Sequence, residues 1–314
     1  MTTSLKVEHQ GRSAWPSLPL NEWQDTFATL HRWLQIVGKT RLALAPPVNH
    51  WWHVTLYLTA RGLTTSPMPS GNRTVEVELD FIDHNLMIRD SDGAGRRIAL
   101  VPRTVADFYR EYMGLLEELG VRPRFGPAPN ELEDATPFLQ DEQHRSYDRD
   151  YAERCWRILS QADEVLQEFR GRFIGKCSPV HFFWGAFDLA CTRFSGRAAP
   201  EHPGGVPNLP DSAVREAYSH ECISAGWWPG GGPLPEPAFY SYSYPEPAGF
   251  SEARVRPADA YYQRDLKEFV LPYQAVRTAR RPDQVLLEFL QSTYEAGAKL
   301  GGWDRPALER PGRS

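Results

Sequence analysis

The chain has 314 residues, 41% hydrophobic and 24% charged, with a formal charge of −5. That is globular composition, its acidic balance argues against a nucleic-acid-binding face, and no run approaches the roughly 20 consecutive apolar residues of a membrane-spanning helix. Cys155, Cys177, Cys191 and Cys222 show no CxxC spacing and the first 15 residues are polar, so free thiols in a cytoplasmic chain without signal peptide are expected.

Residues 1–20 read as a flexible tail ending in a docking strap at Trp15, Leu18 and Leu20. Trp23, Phe27, Leu30, Leu34 and Val37 step by four and three, one face of a helix that Gly38 should end. After Pro46-Pro47, residues 51–61 read as a strand. Its alternation gives Trp52, Val54, Leu56, Leu58 and Ala60 to a core face, and Trp51, His53, Thr55, Tyr57, Thr59 and Arg61 to the other. Val75, Val77, Leu79 and Phe81 alternate with Glu76, Glu78 and Asp80 and open a meander that closes at 98–101. Thr104 is placed to cap a helix carrying Val105, Phe108, Tyr112, Leu115 and Leu119.

Proline and then polar residues mark 122–147 as a linker between a first half, 21–121, and a second, 148–304, with 305–314 frayed. The second half should hold a helix over 148–173, strands at 181–193, 220–228, 239–244 and 269–272, and a helix opened by Pro282. Tyr240, Tyr242 and Tyr244 share one strand face.

The halves echo each other. Pro47-Val48 and Pro179-Val180 each lead to a tryptophan, Trp52 or Trp184, and then to an arginine, Arg61 or Arg193, with identical gaps. Gly-Lys pairs precede both, and both halves end in a helix running from Phe to Leu-Gly. The register slips by five residues between the Gly-Lys and Pro-Val matches, so convergence of two similar halves stays open. The predicted class is α+β: two related helix–antiparallel sheet–helix halves around a pseudo-two-fold axis, with a pocket near that axis.

The row His53, Tyr57 and Arg61 offers a base, a phenol and a fixed cation, against the plainer reading of a solvent-facing strand side. His53 and Tyr57 are the candidate acid/base groups. Arg61 and Arg193 would clamp an anionic group, or else serve in structural ion pairs, Arg193 with Asp188 or Glu221. Trp51, Thr55, Trp228, Tyr242 and His220 complete the candidate binding set. His220 and Cys222 share a strand face but lack a known nucleophile motif. His50 and His53 fall on opposite faces of an extended segment, so no metal site is assigned.

The segments at 51–69, 181–197, 269–279 and 292–306 resemble a bacterial family known only as a domain of unknown function, over about Trp15 to Pro306. The resemblance implies a soluble bacterial protein and no activity, cofactor or catalytic residue. The expected function is small-molecule binding or catalysis in an aromatic-walled pocket, with an anionic ligand and no nucleic-acid or membrane partner. The alternative is a structural or protein-interaction module. Cofactor and oligomeric state are not legible.

Overall fold

Among the described residues, two antiparallel sheets of six strands each divide the chain, and helices flank both. The computed structural model describes residues 13–311; residues 1–12 of the expected tail and 312–314 of the expected frayed end lie outside it. The first half runs α1 (Leu20–Leu44), β1 (Tyr57–Leu58), β2 (Gly62–Thr64), β3 (Met68–Ser70), β4 (Arg73–Asp80), β5 (Asn85–Asp90), β6 (Gly95–Ala99) and α2 (Val105–Glu118). The second runs α3 (Arg149–Gly171), β7 (His181–Phe183), β8 (Asp188–Ala198), α4 (Asp211–Ala217), β9 (His220–Trp228), β10 (Ala238–Tyr244), β11 (Tyr261–Gln263) and β12 (Glu268–Pro272). It closes with α5 (Tyr273–Arg277), α6 (Pro282–Leu300) and α7 (Arg305–Leu308), the last helical where fraying was expected.

The strand order is β1-β2-β4-β5-β6 in one sheet, with β3 beside β4, and β7-β8-β9-β10-β12-β11 in the other. Each half thus places its first strand at an edge and a long helix before and after its sheet. The fold is α+β in two similar halves. The two first-strand edges meet: Leu56 and Phe182 exchange backbone hydrogen bonds of 2.9 and 2.8 Å. The main hydrophobic core extends from Trp15 to Trp303 and includes Phe138 and Tyr147 of the expected linker.

The tryptophan–arginine echo does not match this element order. Trp52 precedes β1, whereas Trp184 follows β7; Arg61 precedes β2, whereas Arg193 lies inside β8. Helix α2 is capped as the spacing predicts, with Thr104 Oγ1 accepting from the Asp107 amide at 3.0 Å.

Two local expectations fail for physical reasons. Helix α1 passes through Gly38, because the missing side chain makes room for Trp184: a Cβ there would stand 2.2 Å from the indole Cγ. The stretch 51–61 is not one strand. His50 and Trp51 adopt left-handed backbone, with φ of 57° and 61°, which breaks the alternation. Only Tyr57–Leu58 pairs as strand there. Residues 52–54 instead form a turn, held by Trp184 Nε1 donating to the Val54 carbonyl at 2.7 Å.

Candidate functional site

The site follows from the two-residue period of strands β8, β9, β10 and β12. Odd-numbered residues such as Leu189, Cys191, Ile223, Ala225, Trp227, Phe239, Phe269 and Leu271 join the main core. Even-numbered ones face the other way and wall a cavity of about 660 Å³: Asp188, Ala190, Thr192 and Phe194; Cys222, Ser224 and Trp228; Ala238, Tyr240 and Tyr242; Glu268. The remaining walls come from α1, the turn at 50–54, the turn at 183–186, Gly126 and 130–131, and residues 206–218 with α4. A separate hollow of about 740 Å³, at the start of α1, is a more open groove with polar walls. The cavity behind the even-numbered face is the less open and the more apolar of the two.

Three carboxyl groups reach this cavity. Asp188 accepts a hydrogen bond from the Tyr240 hydroxyl at 2.5 Å. Tyr240 reaches it by lying over Gly226, where a Cβ would come within 2.7 Å of the phenol oxygen and 2.0 Å of the Leu189 carbonyl. Glu131 packs against Gly185, where a Cβ would stand 1.9 Å from its Oε1. Glu268 opens β12. Among the described residues, neither glutamate side chain makes a hydrogen bond or ion pair. Burial pushes Asp188 up to about 6, against the opposing Tyr240 hydrogen bond. Burial, with the Asp188 charge added, pushes Glu131 up to about 7 and Glu268 up to about 8.

A polar stripe on α1 supports the wall. His31 Nε2 lies 3.0 Å from the Trp184 carbonyl and 2.9 Å from that of Gly185, so that nitrogen carries the proton. Burial lowers His31 to about 4 and keeps the ring neutral at pH 7. One turn on, Gln35 donates to the Asn130 carbonyl at 2.8 Å and accepts from its amide at 3.0 Å. Another turn on, Lys39 donates to Asn130 Oδ1, and burial lowers Lys39 to about 8. The spacing of four places all three on one helix face. Asn208 ties the loops together, its Nδ2 donating to the Leu132 carbonyl at 2.7 Å. At the far end, Tyr218 and Tyr242 hydroxyls lie 2.8 Å apart. There Lys176 donates to His50 Nε2 at 2.7 Å, and His50 Nδ1 to the Ala217 carbonyl at 3.0 Å.

Of the residues expected at the site, Trp51, Trp228 and Tyr242 line the cavity, and His53, Thr55, Tyr57, Arg61, Arg193 and His220 do not. His53 is buried with its Nδ1 3.2 Å from the Val48 amide. Tyr57 lies under the Arg41 guanidinium, 5.5 Å from ring centre to Cζ. Thr55 donates to the Trp52 carbonyl at 3.1 Å. His220 abuts the His50 ring, with centroids 5.6 Å apart.

The arginines do not form a clamp. Arg61 is exposed and pairs with Asp80 at 2.6 Å and Asp83 at 2.7 Å. Arg193 has odd parity, so it enters the helix-side core, donates to the Phe169 carbonyl and stacks 3.4 Å from the Phe169 ring centre. Asp188, considered as its partner, faces the opposite side of β8. Burial pushes the Cys222 thiol up to about 12, away from nucleophilic character. Among the described residues no three His, Cys, Asp or Glu side chains are grouped to hold a metal ion.

Sequence reasoning missed the three acids. Glu131 lay in the expected linker, and Glu268 began a short strand. Asp188 carried the one available signal, a lone carboxylate inside the apolar run at 182–191.

Residues 15–310 match the model of a family described as Family of unknown function (DUF5996), and the chain belongs to that family. No curated protein and no solved structure matches it. Among the described residues no helix is long and apolar enough to cross a membrane.

Proposed function

We propose that this member of a family of unknown function binds a small molecule in the cavity walled by α1, the 50–54 turn and the even face of β8–β10 and β12. The supporting observation is three carboxyls on the walls of one aromatic-lined cavity of about 660 Å³, within the roughly 300–1,000 Å³ usual for ligand sites. Burying acids without partners costs stability. Clusters of shifted acids therefore accumulate at functional sites more than in structural cores. Four free thiols fit a cytoplasmic setting.

Catalysis is the second reading. Asp188, Glu131 and Glu268 are poised at about 6, 7 and 8, the range in which a carboxyl can both give and take a proton near neutral pH. His53 and Tyr57, outside the cavity lining, are not part of it.

Native mass spectrometry of the purified full chain, followed by mild denaturation, tests binding. A released small molecule, lost in an Ala190→Phe variant that fills the cavity, supports the proposal. A chain that carries nothing and gains no thermal stability from any member of a metabolite panel would favour the structural or interaction role instead.

A further inference from the structure

We infer that the cavity is built for an organic cation: an apolar or aromatic body carrying a protonated amine or a quaternary ammonium. This deepens the small-molecule reading above and rests on it. The charge inventory carries it first. Three carboxyls line the cavity against one lysine, and Lys39 is engaged with Asn130. Glu131 and Glu268 have no hydrogen-bond or ion-pair partner among the described residues. They sit on the cavity wall in surroundings that disfavour an unpaired negative charge. A guest cation would supply the missing counter-charge, whereas a guest anion would face three acids.

The walls carry it independently. Trp51, Trp52, Trp184 and Trp228, with Tyr240 and Tyr242, contribute indole and phenol rings to the same walls. Aromatic walls attract cations through the negative faces of the rings. The protein uses this chemistry at the cavity's edge. The Lys176 ammonium lies 5.5 Å from the Trp52 ring centre and 5.2 Å from that of Phe194, and both rings line the cavity. A neutral guest would use the rings and supply no counter-charge to the acids. An anionic guest would use Lys39 alone.

The test compares three probes sharing one body: 4-phenylbutylamine, 4-phenylbutanol and 4-phenylbutyrate, with naphthyl analogues of each, titrated calorimetrically into the full chain. The amine should bind at least about ten-fold tighter than the alcohol, the scale of a desolvated cation–π or charge-assisted contact, with no measurable binding of the acid. In a Glu131→Gln, Glu268→Gln double variant the amine's advantage should fall below about three-fold, with the alcohol's affinity unchanged. These substitutions keep shape and remove the titratable group, so folding should survive; a circular dichroism melt checks it. Tighter binding of the alcohol or the acid would overturn the cation assignment and leave the cavity reading standing. So would an amine advantage that survives in the double variant. No binding by any probe of either body would overturn both.

Discussion

The Tyr240 hydroxyl donates to Asp188 Oδ2 at 2.5 Å, reaching from β10 to β8 across the intervening β9 at Gly226. One hydrogen bond thereby fixes an acid and a phenol on the same cavity wall. It opposes the effect of burial on Asp188.

Tyr240→Phe removes the donor and keeps the ring. The Asp188 pKa should rise further, because its ionised form loses its partner. The cost should be about 1–2 kcal/mol at pH 7.5 and smaller at pH 5, where the carboxyl is protonated and has less charge to satisfy. Carbon-detected NMR titration of the carboxyl and urea unfolding at the two pH values measure both effects.

The cavity acids set a pH dependence of definite sign. The folded values of Asp188, Glu131 and Glu268 stand above their ordinary 3.8 and 4.5. Between about pH 4 and 8 the folded chain therefore holds more protons than the unfolded one. The contribution of these acids is fully present below that window and is lost as pH rises through about 6 to 8. Because the Asp188 charge acts on each glutamate, their titrations should be linked through it. Glu268→Gln should raise stability by about 1–3 kcal/mol at pH 8.5 and change it little at pH 4.5. His31 and His181, lowered by burial to about 4 and about 3, act oppositely as pH falls below about 6.5. The difference between variant and parent, read by urea unfolding, isolates the acid. Equal destabilisation at both pH values would contradict the placement of Glu268.

The two arginines should respond differently. Arg193 is 1% exposed, between Phe169 and Tyr294. Arg193→Ala leaves a large void and should cost about 3–5 kcal/mol, whereas Arg193→Met fills it without a buried charge and should cost far less. Arg61→Ala should leave the melting temperature nearly unchanged, since exposed ion pairs contribute little. It should also leave probe affinity unchanged. A melt series with one calorimetric titration covers all three variants.

Gly38→Ala places a methyl group against the Trp184 indole in the middle of α1. The ring must move, and its bond to the Val54 carbonyl goes with it. Overpacking of this kind costs about 1–3 kcal/mol despite alanine's better helix propensity. An unchanged or raised melting temperature would show that Trp184 has room to shift.

Much of the fold was legible because it rests on local periodicity. Thr104 and the stripe behind it announced α2, and the alternation from Val75 to Phe81 announced β4. Tyr240, Tyr242 and Tyr244 were read as one strand face; the first two line the cavity and Tyr244 does not. What misled was chemistry that local pattern does not encode. Gly38 has the look of a helix stop, yet it serves as contact space for a ring 146 positions away in the chain. The 51–61 stretch is strand-like in composition, but left-handed His50 and Trp51 turn it aside. Arg193 shares the odd-numbered face of β8 with Leu189 and Cys191. Which side of the sheet faced helices and which faced a cavity depended on α3 and α6, and no pattern within β8 carries that. Glu131 was hidden because only long-range packing brings a proline-rich loop against Gly185.

The edge-to-edge bridge between Leu56 and Phe182 also bears on how the halves could exist apart. An unpaired strand edge invites pairing with another chain. Here each sheet shields its first-strand edge with the other. A chain cut within 122–147 would leave both fragments with a bare edge and an opened core. Such fragments should be recovered as self-associated species or aggregates, and mixing them before that happens should restore the heterologous pairing in preference to either homologous one.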